Sequence, residues 1–254
     1  MKYNIGLALS GGGVRGFAHI GAIMALEEAG IKPDVIAGTS AGAIVGALYA
    51  SGYTPTEIFD LFKNTALLNF TKFAIPKNGL FSTADFVKFL KKSIKCERFE
   101  ELSIPLHVVA TDLDSGAGVV FSEGELSKRV MASSCVPVVF KPMEIDGISY
   151  VDGCIYRNFP VSVIRDMCKT VIGINVNPMV EKKYSKSIIS IAERSCTLMF
   201  RAITNEEIKL CNIYLEPQEI AQYNMFELKK REIIFKHGYT AMKEKLKELS
   251  PKKY

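Results

Sequence analysis

Histidine is scarce in this chain: His19, His107 and His237 are the only three among 254 residues. No two of the six cysteines form a Cys-x-x-Cys pair. So few imidazoles and no paired thiols leave the chain without the ligand spacing of a zinc site, and no metal is expected. Cys96, Cys135, Cys154, Cys168, Cys196 and Cys211 read as reduced, mostly buried thiols of a reducing compartment, not as a disulfide frame. Long apolar runs are missing too. None approaches the ~20 residues that a spanning helix needs. The first apolar run ends at Leu9, before Ser10-Gly11, and is too short for the h-region of a secretory signal. The expected location is therefore cytoplasmic. Internal repeats, low-complexity stretches and linkers are also absent, and a single domain over residues 1–254 is the simplest reading.

What is present suits a globular protein with a sizeable core: 48% hydrophobic and 23% charged residues. The net charge of +5 is uneven. Residues 226–254 hold nine Lys or Arg and four Asp or Glu, so the rest of the chain is neutral. This basic stretch, predicted as a helix over about 226–249, reads as a solvated face or as a weak attraction for anionic headgroups. Its bases are interleaved with acids and match no nucleic-acid motif, so no nucleic acid is expected as a partner.

The elements alternate. Lys2 to Leu9 reads as a strand, Phe17 to Ala29 as a helix stopped by Gly30, Val35 to Ala37 as a buried strand and Ala43 to Ala50 as a buried helix. This β-α-β-α order predicts an α/β fold with a mostly parallel sheet covered on both faces. Pro105 to Thr111 reads as a further strand, and Asp146-Gly147 marks a two-residue hairpin between Lys141–Ile145 and Ile148–Val151. Helices are expected from Pro160 to about Cys168 and from Ser185 to about Thr204, with strands at Thr170–Asn175 and Cys211–Leu215.

Three pieces carry chemistry. The first is Gly38-Thr39-Ser40-Ala41-Gly42. Strand, tight turn and helix around Gly-x-Ser-x-Gly are the context of a nucleophile elbow, with Ser40 on the turn and Gly38 and Gly42 letting strand and helix approach. Alone, such a pentapeptide arises by chance in about one chain of this length in ten, so its partners decide. The second is Gly11-Gly12-Gly13-Val14-Arg15-Gly16. A dinucleotide site would need an acidic residue at the end of the second strand, and that strand runs instead into the serine turn. The alternative is an oxyanion hole built from uncovered N–H groups of Gly11, Gly12 and Gly13, with Arg15 orienting the loop or attracting an anion. The third is a base. Only His237 preserves the hydrolase order Ser, acid, His; His19 and His107 read as structural. Asp152, on a sharp turn before Gly153, is the better candidate to take the Ser40 proton directly.

Together these pieces resemble the patatin-like phospholipase family. Leu9-Ser10-Gly11-Gly12-Gly13, Gly16-Phe17-Ala18-His19-Ile20-Gly21, Gly38-Thr39-Ser40-Ala41-Gly42, Ala132-Ser133-Ser134-Cys135-Val136-Pro137 and Asp152-Gly153 carry the likeness over about residues 5–175, closest to small single-domain bacterial members. The resemblance implies a three-layer α/β/α fold and a Ser40–Asp152 dyad. It also implies an oxyanion hole at Gly11–Gly13, hydrolysis of phospholipid or lysophospholipid esters, and no cofactor. Cys154 departs from the Gly or Ala usual after Asp-Gly. An acyltransferase or thioesterase would use the same residues, and a binding protein on this scaffold is the reading from another class. Residues 66–81, apolar with Lys72 and Lys77 among them, read either as a lid or interfacial contact for acyl chains or as a helix and loop on the core. Through this stretch and the basic helix the protein is expected at the membrane periphery.

Overall fold

The computed structural model describes residues 1–64, 83–137, 139–181, 188–225 and 227–249. In chain order its main elements are β1 (Tyr3–Leu9), α1 (Phe17–Glu28), β2 (Val35–Thr39), α2 (Ala41–Ala50), α3 (Pro55–Asn64) and α4 (Thr83–Ser93). Then come β3 (Leu106–Asp112), β4 (Gly118–Phe121), α5 (Leu126–Ser133), β5 (Met143–Ile145), β6 (Ile148–Asp152) and the single turns α6 (Cys154–Arg157) and α7 (Ser162–Arg165). β7 (Cys168–Ile174), α8 (Ile188–Lys209), β8 (Ile213–Leu215) and α9 (Arg231–Leu249) complete the chain. The lid or interfacial contact expected at residues 66–81 lies outside the described residues.

β1 from Gly6 to Leu9 and all of β2 are buried because helices cover them on both sides. Successive strand side chains face opposite ways, and the core divides accordingly. Leu7 and Leu9 of β1, Ile36 of β2 and Ile172 and Ile174 of β7 join α1, α2 and Met242 of α9 in one cluster. Ala8, Val35, Ala37 and Val171 join Phe159, Val161 and Ile164 in another. The result is the three-layer α/β/α arrangement that the alternating elements predict.

β8, β7, β1, β2 and β3 lie side by side, all parallel. β4 and β6 pair antiparallel with β3, and β5 returns on β6. A strand has only two hydrogen-bonding edges. β4 takes one edge of β3, from Val108 to Thr111. β2 meets β3 from Leu106 to Val109, and β6 meets it from Ala110 to Asp112. Each overlaps β4 along β3, so β2 and β6 share the other edge. Thr39 stands opposite Val109, and Asp152 stands opposite Ala110, the next residue along.

Two elements differ from the sequence reading. The helix expected from Pro160 to about Cys168 is one turn, Ser162–Arg165, because Cys168 already belongs to β7; the Arg165 guanidinium caps this junction through the carbonyls of Cys168 and Lys169. The closing helix begins at Arg231, after a 3₁₀ turn at Leu228–Lys230, later than the sequence reading places it. α9 lies almost in backbone contact with α1. A Cβ on Gly238 would stand 2.0 Å from the Ala18 carbonyl oxygen, and one on Gly21 would stand 2.1 Å from that of Phe235. Only glycine permits this approach.

Candidate active site

Ser40 is the residue between β2 and α2, and its backbone is at φ 52, ψ −119. A side chain at positive φ is strained by about 1–3 kcal/mol and persists only where its surroundings impose it. Two contacts impose it here. The Ser40 N–H donates to Ser133 Oγ at 2.8 Å, and the Ser40 carbonyl accepts the Ile44 N–H at 3.0 Å inside α2. Gly42 lets α2 start this close to the sheet, since a Cβ there would lie 2.3 Å from the Leu9 carbonyl oxygen. Gly38 stands in β2 against the backbone of Gly42 and Ala43, and Gly16 faces Ala41.

The edge-sharing of β2 and β6 brings Asp152 to this turn. Ser40 Oγ donates to Asp152 Oδ2 at 2.7 Å. The other carboxylate oxygen accepts the Cys154 N–H at 2.9 Å. The Asp152 carbonyl accepts Thr111 Oγ1 at 3.0 Å, and the Asp152 N–H donates to the Cys135 carbonyl at 2.9 Å. Asp152 is 1% exposed. Burial raises its pKa above the usual aspartate value, while hydrogen bonds from Ser40, from the Cys154 N–H and from the Cys154 thiol pull it back down. Cys154, the departure from the family pattern, is thus a donor to the carboxylate. Gly153 packs on β3, its Cα hydrogen side facing the Val109 carbonyl.

The glycine loop lies against the same serine: a Cβ on Gly11 would come within 3.2 Å of Ser40 Cβ. The Gly11 N–H is already committed, donating to the Asn158 carbonyl at 3.0 Å. The Val14 N–H is also spent, on the Met225 carbonyl at 2.8 Å. Among the described residues, no partner takes the N–H of Gly12 or Gly13. Arg15 is engaged by backbone carbonyls. Its Nε donates to the Tyr223 carbonyl at 2.9 Å and its Nη2 to that of Ala221 at 3.4 Å, which ties the loop to the chain after β8.

None of the histidines partners Ser40. His19 is fully buried in α1, and its Nε2 donates to the Ser10 carbonyl at 2.8 Å. Burial lowers its pKa to about 4, so the ring is neutral and braces the loop. His107 stands opposite Ala37 in the sheet and lines a cavity of about 360 Å³ with Val109, Tyr156 and Met167. His237 of α9 meets the Tyr223 hydroxyl at 3.3 Å. Among the described residues, no three His, Cys, Asp or Glu side chains gather as metal ligands would. No helix among them is long and apolar enough to cross a membrane. Sequence reasoning missed Ser133, Asn158 and Thr111. Ser133 lies inside a stretch that carries the family likeness, but nothing in its own neighbours points to Ser40.

Comparison with known proteins shows the family. The model of the family described as patatin-like phospholipase matches residues 7–164. Patatin-like phospholipase domain-containing protein 6 of Mus musculus is 33% identical over 190 residues, 71% of this chain and 14% of that protein. Lysophospholipase NTE1 of Saccharomyces cerevisiae is 32% identical over 179 residues, 68% of this chain and 11% of that protein. An NTE family protein of Mycobacterium tuberculosis is 35% identical over 167 residues, 63% of this chain and 45% of that one. The chain therefore spans 14% of the mouse relative's length. Among solved structures, VipD from Legionella pneumophila has a TM-score of 0.59 at 15% identity, covering 98% of this chain and 67% of that one. The type III effector ExoU has a TM-score of 0.50 at 13% identity, with 98% and 53% covered. At these identities the structural likeness shows the fold alone.

Proposed function

Because the chain belongs to the patatin-like phospholipase family, we propose that it hydrolyses acyl esters of phospholipids or lysophospholipids through a Ser40–Asp152 dyad. The observation that carries this reading is the 2.7 Å hydrogen bond from a strained, nearly buried serine hydroxyl to a buried carboxylate. A serine is a weak nucleophile until a base in hydrogen-bond reach can take its proton. Asp152 is in reach, and its raised pKa moves it toward the range where it can both accept and return a proton.

The steps follow from this placement. Asp152 takes the Ser40 proton as Oγ bonds to the ester carbonyl carbon. The carbonyl oxygen becomes an oxyanion, held by the N–H groups of Gly12 and Gly13 at the start of the first β-α loop. Of the three glycines, Gly11 contributes closeness to Ser40 rather than a donor, since its own N–H is bonded to Asn158. Asp152 then gives the proton to the departing alcohol oxygen as the ester C–O bond breaks. In the second half, Asp152 takes a proton from water, the hydroxide oxygen adds to the acyl-enzyme, and the proton returns to Ser40 Oγ as the carboxylic acid leaves.

The test combines an active-site label with two variants. A fluorophosphonate should form an adduct on Ser40, located by mass spectrometry. Ser40→Ala and Asp152→Ala should fold with the parent circular dichroism and lose hydrolysis of a p-nitrophenyl ester and of lysophospholipid. A folded parent that neither labels nor turns over would make the scaffold a binding protein, and normal turnover by either variant would remove the dyad.

A further inference from the structure

The glycine loop is held from outside by residues that follow β7, beyond residues 7–164 that match the family model. The Gly11 carbonyl accepts Asn177 Nδ2 at 2.6 Å and Ser10 Oγ at 3.0 Å. Ser10 Oγ in turn accepts the Val176 N–H at 2.9 Å. The peptide joining Gly11 to Gly12 is trans. In a planar trans peptide the C=O and the N–H point in opposite directions. Fixing the Gly11 oxygen on Asn177 therefore fixes where the Gly12 N–H points. The loop cannot do this by itself. A Gly-Gly peptide has no Cβ on either side to resist a flip, and a flipped peptide would aim a carbonyl where the N–H had been.

Asn177 is itself held in place. Its N–H donates to Asn175 Oδ1 at 3.1 Å. Asn175 is fully buried, and its Nδ2 donates to Glu216 Oε1 at 2.8 Å. Glu216 also accepts the Tyr214 hydroxyl at 2.6 Å and is ion-paired with Arg201 of α8. A half-buried ion pair, two amides and one peptide thus run in line to the glycine loop.

We propose that Asn177 is a positioning residue for the oxyanion hole: it locks the Gly11–Gly12 peptide so that the Gly12 N–H faces the Ser40 side. This rests on the reading that the Gly12 N–H stabilises the oxyanion. An oxyanion exists only in the transition state and the tetrahedral intermediate. Loss of the lock therefore lowers kcat and leaves KM nearly unchanged.

The experiment uses the full chain, as parent, Ser40→Ala, Asn177→Ala and Asn177→Asp. It measures kcat and KM on p-nitrophenyl butyrate, thermal unfolding, and the Gly12 amide signal in ¹⁵N-glycine-labelled protein. Asn177→Ala should lower kcat about 10–10²-fold, short of the full loss of a donor because Ser10 still holds the carbonyl. KM should stay within about twofold, and the Gly12 amide signal should shift. Asn177→Asp keeps the shape but replaces the donor by an acceptor, so it should lose at least as much kcat with the parent's unfolding temperature. Parent kcat in either variant, or an unmoved Gly12 amide signal, overturns the proposal while leaving an active, Ser40-dependent parent intact. A parent without turnover or Ser40 labelling overturns the hydrolase reading instead, and the Gly12 signal then still decides whether Asn177 holds the loop.

Discussion

Ser40 and Asp152 are 112 positions apart in the chain, yet their side chains meet at 2.7 Å. The cause lies one residue away. Thr39 and Asp152 stand opposite Val109 and Ala110 on one edge of β3, so the end of parallel β2 and the end of antiparallel β6 converge on it. The sheet, and not a loop, sets the distance between the proposed nucleophile and base. That suits chemistry in which a misplacement of about 1 Å costs about 10²-fold in rate.

With Asp152 as base, activity requires its ionised form. Burial raises its pKa, so kcat/KM should fall as pH drops through that raised value, above the usual aspartate range. The Cys154 thiol is one of the donors that lower it. Cys154→Ala should therefore move this acidic limb to higher pH with the plateau rate nearly kept. A pH–rate profile of both proteins checks this, and a limb that does not move would remove the thiol from the site's electrostatics.

The same burial has a stability cost. The folded-state pKa of Asp152 lies above its unfolded value, so its contribution is most favourable below the unfolded pKa and is lost as pH rises through the folded one. Asp152→Asn should consequently be more stable than the parent at pH 7–8, with the gap closing toward pH 3. The amide can donate to Ser40 Oγ and accept from the Cys154 N–H, so both neighbours keep a hydrogen bond to residue 152. Denaturant midpoints at three pH values decide the matter, and a variant less stable at pH 8 would contradict it.

Arg15 should matter as a brace. Arg15→Ala strands the carbonyls of Ala221 and Tyr223, which its guanidinium satisfies. An unsatisfied buried polar group costs about 1–3 kcal/mol, so urea unfolding should show a loss of that order. Arg15→Lys offers a single ammonium in place of a fork and should recover only part of it.

Gly238→Ala tests the contact between α9 and α1. The new Cβ would fall 2.0 Å from the Ala18 carbonyl oxygen, backbone against backbone, so the helices must separate. Overpacking of this kind costs about 1–3 kcal/mol. The loss should appear in thermal unfolding. Because α1 follows the glycine loop directly, kcat should fall as well. Gly30→Ala serves as the comparison, since a Cβ at Gly30 meets nothing within 4 Å, and its cost comes only from its positive φ.

Much of the site was legible in the linear text, for a definite reason. A glycine run after an apolar strand, a serine between two glycines and an aspartate after a hairpin are local patterns, and backbone geometry at turns is decided by neighbours in sequence. The readings at Ser40, Asp152 and the glycine loop rest on such patterns. Gly11 shows their limit. Its type and place are right for a close approach to Ser40, but its N–H is taken by Asn158, which no spacing announces. Arg15 is similar: the sequence leaves it either to orient the loop or to attract an anion, and its partners are carbonyls more than two hundred positions away.

By itself, the sequence determined the alternation of strand and helix, the two glycine-bearing turns and the family, because apolar periodicity and turn residues act over a few positions. Tertiary structure alone decided which edge of β3 receives β6, and hence how close the Asp152 carboxylate comes to Ser40. It also decided that Ser133, Asn158 and Asn177 hold the serine turn and the glycine loop. Each of those contacts joins residues far apart in sequence and has a backbone N–H or C=O, which every residue carries, on at least one side, so no local spacing announces the pairing.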